Sequence, residues 1–561
     1  MSVSAKHILR RFRRDEDGAL IIFGLVLFVL MVMMAGFAVD LMRYENTRTK
    51  LQNTLDRSTL AAAALSQKLD REAVVRDYML KAGLADELQS VTVNSSLNAT
   101  AVAAVGRADT KPIFLHMLGI DEFDAVGRSK AEQAITNLEI VLVLDVSGSM
   151  QSNDKIGRLK IAANQFIDSM LDNDPNHRVS ISIVPYNAQV NIGPDLVSKF
   201  NVTHNNNLGN ANCVEFAPST FDSPALSQTD ALPMMAYADI AYGTNRINGF
   251  VAPTDTNYAV PNFSQTFCRR YNANVVRLPN NDKDVLKSQI NGLQAGGNTS
   301  ITLGMKWGAA LIDPSMRPVY TQFIGAGKIP GNIPSRPFEY DDTSSMKIIV
   351  LMTDGEHVSH TRVTDTYKSG LSPIYRSTAD GAYSVFHASR VNLASATTIC
   401  DSRPFYLPSL GVWQARPWNG TTPGATDCYV AGNTVGAVQQ DWRNIWASMK
   451  MTYVAWQFYA RALGTDTTTR NNVYNSTVAA MRNTWATVPA MDASLEQTCD
   501  LVKANGVVVY GVTVDAPLTG QQVIASCATS PDAHYFEATP EEIDGAFQTI
   551  ASNITMLKLT Q

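Results

Sequence analysis

Asp145, Ser147 and Ser149 stand at alternate positions in "LEIVLVLDVSGSM", directly after an apolar run that reads as a buried strand. Alternation turns the three side chains to one side as the chain leaves the strand. Two further segments bring oxygens of the same kind. "LQAGGNTSITLGMKWGAAL" carries Thr299 behind paired glycines, and "IIVLMTDGEH" ends its apolar run in Asp354 and Gly355. Asp, Ser, Ser, Thr and Asp are hard oxygen donors with only two carboxylates among them. Such a set suits a divalent cation, Mg²⁺ first, with Mn²⁺ or Ca²⁺ as alternatives. Mg²⁺ retains water or an open position, and few carboxylates leave it partly uncompensated. A carboxylate from another protein can then complete the shell. The chemistry expected is coordination exchange rather than catalysis, because no general base is read beside the five ligands.

These residues need a frame. An open α/β sheet binds its ligands at the carboxyl ends of its strands, and the sequence supplies candidates for such a sheet. "LEIVLVLD", "HRVSISIVPYN", "MKIIVLMTDG" and "ANGVVVYGVTVD" are near-continuous apolar runs; "DKIGRLKIAANQFIDSML" and "EEIDGAFQTIASNITML" read as amphipathic helices. Buried strands separated by helices predict a doubly wound, mostly parallel sheet. Two long stretches interrupt it, at about 191–282 and 355–490. The second holds six of the seven tryptophans, which argues for folded insertions rather than linkers.

Six cysteines, Cys213, Cys268, Cys400, Cys428, Cys499 and Cys527, show no zinc spacing and read in order as three local pairs. Cys499 and Cys527 lie in helix-like segments flanking one strand and are the best-placed pair. From Gly18 to Val39 no charged residue occurs, which is long enough to cross a hydrocarbon core of about 30 Å. A cleaved signal peptide has a shorter apolar core, and no clean cleavage pattern follows here. The expectation is an uncleaved membrane helix at 19–39 after a cytoplasmic tail, 1–18. Basic residues are nearly balanced across it: Lys6, Arg10, Arg11, Arg13 and Arg14 before, Arg43, Arg48, Lys50 and Arg57 after. They favour a cytoplasmic N-terminus slightly, and the paired cysteines, all beyond the span, favour the same orientation.

Past the span, Leu41, Tyr44, Leu51, Leu55 and Ala62 recur near helical spacing, so the helix is expected to run on as an amphipathic stalk. Residues 90–135 show short alternating runs that suit a small strand-containing module. The domain reading is thus 40–136 for stalk and module and 137–561 for the α/β domain with its two insertions. A net charge of −5 gives no support to nucleic-acid binding.

"DVSGSM" matches the DxSxS signature of von Willebrand factor A (vWA) domains, "GGNTSITLG" resembles their threonine loop, and "MTDG" their second aspartate. That resemblance implies a Rossmann-like vWA fold whose metal-ion-dependent adhesion site uses Asp145, Ser147, Ser149, Thr299 and Asp354, some through water. The N-terminal "RRFRRDEDGALIIFGLVLFVLMVMMAGFAVDLMRYENTRTKLQNTLDRSTLAAAAL" resembles TadG-like proteins of Tad/Flp pilus assembly, as do "ITLGMKWGAALIDP" and the C-terminal "CDLVKANGVVVYGVTVD". It implies a single-pass inner-membrane protein with its large C-terminal part in the periplasm, and pilus-assembly or pilin-like partners. A surface adhesin gripping an external ligand through the metal site is the alternative. A glutamate five residues after a cleaved glycine, as in pilin processing, would fall on Phe23, so such processing is not expected.

Weaker signals accompany these. "GEHVSH" sets Glu356, His357 and His360 together without HExxH, and is read as surface or supporting residues. "GAGK", Gly325 to Lys328, lacks the serine or threonine and the upstream glycine of a phosphate loop. No GxSxG elbow surrounds any of the site serines. The tryptophans of 413–485 are read as core.

Overall fold

The computed structural model describes residues 17–64, 67, 69–95, 99–134, 137–172, 174–208, 211–239, 246–262, 266, 268–270, 272–391, 400–424 and 426–555. The cytoplasmic-tail reading of 1–18 lies largely outside them. The chain divides into two compact units, the first ending at Ile135 and the second Thr136–Thr555.

The first unit is built on one uninterrupted helix, α1 (Asp17–Ala63), about 70 Å long at 1.5 Å per residue. Its N-terminal half is apolar all round, with an 18-residue window of mean hydropathy 2.9. Side chains such as Leu20, Phe28 and Met34 are exposed there, and the helix is long and apolar enough to cross a membrane. Further along, Leu51, Leu55, Ala62 and Ala63 are buried against α2 (Arg71–Lys81) and a three-stranded antiparallel sheet, β1 (Leu88–Ser95), β2 (Ala99–Thr110) and β3 (Phe123–Ala134). Val102, Ala104 and Ala108 enter the shared core at even spacing along β2. A Cβ at Gly127 would stand 2.8 Å from Leu55 Cδ1, so that glycine lets the helix lie close on the sheet. Leu41, expected on the buried stripe, is exposed. Tyr44, next along that stripe, is half-buried, and its ring meets Phe123 at 5.7 Å.

The second unit is organised by a six-stranded sheet of β4 (Asn137–Asp145), β5 (Val179–Tyr186), β6 (Arg277–Asn280), β7 (Ser345–Thr353), β8 (Val508–Val514) and β9 (Tyr535–Ala538). Its order is β9-β8-β7-β4-β5-β6. All pairings are parallel except β5 with β6. "Mostly parallel" describes this sheet alone, since three of the other four described sheets are antiparallel. β4, β5, β7 and β8 are buried nearly throughout, which is why they read as continuous apolar runs.

Among the helices flanking the sheet are α3 (Lys155–Leu171), α4 (Ile301–Ile312), α5 (Val488–Ala504), α6 (Leu518–Cys527) and α7 (Ile543–Thr555). Val141, Val143, Ile349, Leu351 and Val509 share one core with α4, α5 and α6. Every residue of α4 is buried, and Gly304 and Gly308 make this possible. Cβ atoms there would stand 2.6 Å from the Tyr186 ring and 2.7 Å from Val143. Ile140, Leu142 and Leu144 are equally buried but outside that core. So are Phe166 of α3 and Phe547 of α7, whose rings meet edge-on at 6.0 Å.

The two long stretches depart from the expectation in two ways. Strand β6 falls inside the first, so its last residues belong to the main sheet. The stretches also share a core rather than standing as separate insertions. Cys213, Met235, Tyr237 and Cys268 from the first pack with Val363, Ile374, Trp442, Trp446, Tyr453 and Phe458 from the second. The second also forms a five-stranded antiparallel sheet and a two-stranded ribbon. Trp442 and Trp446 stack at 5.0 Å within this core, as expected of tryptophans serving as core. The cysteines pair as read: Cys213 with Cys268, Cys400 with Cys428, and Cys499 of α5 with Cys527 of α6.

Candidate metal site

β4 and β7 are parallel neighbours in register Leu144↔Met352, so Asp145 and Thr353 leave the sheet side by side at its carboxyl edge. Thr353 Oγ1 donates to Asp145 Oδ2 at 2.7 Å. The chain then turns sharply, and Ser147 N–H donates to Asp145 Oδ1 at 2.7 Å, fixing both oxygens of the carboxylate. A 3₁₀ turn over Gly148–Asp154 follows. Ser147 Oγ and Ser149 Oγ lie 3.0 Å apart. Both donate to the same oxygen of Asp354, Oδ1, at 3.3 and 2.6 Å.

The threonine segment is laced onto this corner by main-chain bonds. Gly296 N–H donates to Val146 O at 2.7 Å, Gly148 N–H to Gly297 O at 2.8 Å, and Ser300 N–H to Asn187 O at 2.8 Å. Gly297 has φ of 95°, in the left-handed region that a side chain would strain. Thr299 Oγ1 lies 3.5 Å, and Ser149 Oγ 3.9 Å, from the place a Cβ on Gly355 would occupy. The five predicted residues therefore converge from three segments. Asp145, Ser147, Thr299 and Asp354 are buried, and Ser149 is exposed, so the corner opens to solvent at Ser149.

Sequence reading missed Lys155. It is the first residue of α3, is buried, and its Nζ lies 3.3 Å from Asp354 Oδ2 and 3.7 Å from Asp515 Oδ2. Burial, reinforced by the charge of Asp354, pushes the Asp145 carboxyl up to about 7 against the hydrogen bonds from Thr353 and Ser147. Two carboxylates in so dry a corner, with one ammonium beside them, call for further positive charge. No cluster of three His, Cys, Asp or Glu side chains occurs among the described residues. The donor set is therefore hydroxyl-rich, and it fits a hard, oxygen-seeking cation rather than zinc.

His357 is not a surface residue. It is buried, accepts at Nε2 from Thr302 N–H at 3.0 Å, and its Nδ1 meets Asp492 Oδ1 at 2.6 Å. It braces the start of α4, and so the threonine segment, against α5. Thr302 Oγ1 donates to Met491 O at 2.7 Å and lies 2.9 Å from His357 Nε2. His360 is buried as well, 2.6 Å from Gln189 Nε2. Asp492 lies 135 residues from His357, so no local pattern could reveal their contact. "GAGK" follows a helix rather than preceding one, and Lys328 N–H closes back on Phe323 O. A phosphate loop needs the opposite polarity.

Residues 18–65 match the family described as Tad, Putative Flp pilus-assembly TadE/G-like. No curated protein matches the sequence. Among solved structures, the chain is similar to the vWF domain of the type V pili tip protein Mfa5 from Porphyromonas gingivalis, with 13% identity, 75% of this chain and 96% of that one covered, and a TM-score of 0.29. It is similar to the pilus adhesin SpaC from Lactobacillus rhamnosus GG at 12% identity, covering 84% of this chain and 34% of that one, with a TM-score of 0.28. For the von Willebrand factor type A protein from Catenulispora acidiphila the values are 8%, 82%, 49% and 0.24.

Proposed function

We propose, from the premise that residues 18–65 are a TadE/G-like pilus-assembly segment, that this chain is a membrane-anchored, non-enzymatic binding component of Tad/Flp-type pilus assembly or anchoring. Residues 19–39 cross the inner membrane, 40–136 form the stalk and its small module, and the large C-terminal part works in the periplasm. That part is a doubly wound vWA-type domain, whose two inserted stretches build a joint second core.

The observation that carries the reading is the convergence of Asp145, Ser147, Ser149, Thr299 and Asp354 at one corner of the sheet's carboxyl edge, open at Ser149. These residues would hold Mg²⁺, or Mn²⁺ or Ca²⁺, directly or through water. The ion, when bound, supplies a coordination position for an acidic residue of a pilin-like or assembly partner. The chain's own residues pre-set that position. Ser147 N–H and Thr353 O–H fix Asp145, Lys155 holds Asp354, and His357 braces the helix behind Thr299.

The test is a crosslinking pull-down from native membranes, comparing wild type with Asp145→Ala, in Mg²⁺ and in EDTA. Pilus components recovered only with wild type in Mg²⁺ would support the reading. Recovery indifferent to both mutation and chelator would defeat it and move the binding surface to the second core.

A further inference from the structure

The loop between β2 and β3, "KPIFLHMLGIDE" at 111–122, is far more apolar than a connection at a water-facing surface requires. Met117 is 83% exposed, Ile113 and Leu118 58% each, and Phe114 and Ile120 38% each. Five large apolar side chains on one short connection, uncovered by the rest of their own unit, mark a surface that something else covers.

The loop's place on α1 identifies the covering phase. Asp40, the first charged residue after the apolar run, is buried and accepts three backbone hydrogen bonds from the loop. They come from Ile113 N–H and Phe114 N–H at 2.8 Å and Leu115 N–H at 2.9 Å. One turn nearer the N-terminus, the Phe114 ring lies against Gly36, where a Cβ would stand 2.5 Å from Phe114 Cγ. The loop is thus pinned level with Gly36–Asp40, the turn at which the apolar helix ends. A 3₁₀ turn over Leu115–Leu118, closed by Gly119 at φ 84°, turns Met117 and Leu118 outward. Met33 and Phe37, three residues before and one after Gly36, are themselves exposed on the helix. Charged residues stand at both ends of the loop, Lys111 at its start and Asp121 and Glu122 at its finish. That is the amphipathic arrangement of a segment seated at a membrane interface.

We infer that the loop 111–122 dips into the headgroup–acyl boundary of the bilayer, giving the first unit a second lipid contact beside its helix. This rests on α1 being a membrane anchor. The occupant is lipid rather than another protein because the loop is pinned to the last turn of the apolar run, whose exposed side chains face lipid if α1 is the anchor. With the helix alone the unit is free to spin about its axis; with the loop seated, its rotation and depth are set.

The described structure contains no free cysteine, so one introduced thiol can be labelled alone. Full-length Met117→Cys, Leu118→Cys, Phe28→Cys and Glu72→Cys would each carry an environment-sensitive fluorophore in phosphatidylcholine–phosphatidylglycerol proteoliposomes. Nitroxide lipids with shallow and deep labels serve as quenchers. Glu72 is the water control: it lies in the first turn of α2, whose Arg71 donates to Ala62 O, about 30 Å along the helix from Asp40. The expected result is quenching of residues 117 and 118 by the shallow label, of residue 28 by the deep label, and of residue 72 by neither. Asp40→Ala, which removes the acceptor of the three N–H groups, should reduce quenching at 117 and leave that at 28 unchanged. Quenching at 28 without quenching at 117 and 118 would overturn the inference while leaving the anchor intact. A blue-shifted but unquenched label at 117 would likewise overturn it, by assigning the patch to protein. Absence of quenching at 28 would mean that the anchor reading itself fails.

Discussion

Magnesium should raise the melting temperature of the second unit, and the rise should depend on side chains that no partner touches. Saturation at 100 times the dissociation constant stabilises the folded state by about 2.7 kcal/mol. Thr136–Thr555 is about 420 residues, and an unfolding entropy of about 2.1 cal/mol/K per residue gives roughly 0.9 kcal/mol/K. The expected shift is therefore about 3 °C, small but well within reach of differential scanning fluorimetry on tryptophan emission. The diagnostic variant is Thr353→Val. Its hydroxyl donates to Asp145 Oδ2 and accepts from Gly355 N–H, and loss of such an orienting bond weakens metal binding by about 10–100-fold. The Mg²⁺ midpoint should move up by that factor while the saturated shift is retained. Asp145→Asn, which removes a buried ligand charge, should abolish the shift. A wild-type protein indifferent to millimolar Mg²⁺ and to EDTA would refute the reasoning, leaving a corner closed by its own hydrogen bonds. A shift that survives Asp145→Asn would place the ion elsewhere.

Removing the Cys499–Cys527 bridge by Cys499→Ala with Cys527→Ala frees a 28-residue loop, and should cost about 3.5 kcal/mol in urea unfolding. Gly520 in α6 packs so that a Cβ would overlap Gly355 O. Gly520→Ala should cost about 1–3 kcal/mol and also weaken Mg²⁺ binding, read in the same melting titration, because Gly355 follows Asp354. Burial lowers His360 and His387 to about 4 each, so both fold neutral. Their contribution is intact above the unfolded value near 6.5 and is lost as pH falls towards 4. At pH 5 each should cost about 2 kcal/mol relative to pH 7. Urea midpoints at the two pH values measure this, and His387→Gln, which keeps a donor towards Phe458 O, should flatten part of the slope.

Four of the five candidate residues stand at or just after strand ends, where a continuous apolar run stops at a polar residue and local sequence marks the boundary, whereas Thr299 stands before α4 behind paired glycines. The cysteine pairs were legible because each closes a short loop. What stayed hidden depends on distance along the chain. Lys155 reaches Asp354 across 199 residues, and its own neighbourhood, "SNDKIG", looks like any solvated helix start. For His357 the sequence left surface and supporting roles open, and its contacts with Asp492 and Thr302 make it a supporting residue. The shared core of the two long stretches was invisible for the same reason. Each stretch shows aromatic and apolar residues, but neither shows which other segment will cover them. Asp40 gave a positional signal as the end of the apolar run, whereas its three N–H partners lie more than 70 residues on.

The order of the central sheet sets a clock for the growing chain. β4 must wait for β7, since Leu138 pairs with Met346, and β7 must wait for β8, since Ile348 pairs with Val508. At synthesis rates of about 5–20 residues per second, the first wait lasts roughly 10–40 s and the second nearly as long. During that time β4 and β5 have emerged with one flank unpaired. The disulfides run on a shorter schedule, each closing a span of 55 residues or fewer. Covalent closure of the inserted stretches can therefore precede completion of the sheet. A thiol oxidant that acts early, and a holdase that shields an apolar strand until its neighbour arrives, are the two helpers this topology calls for.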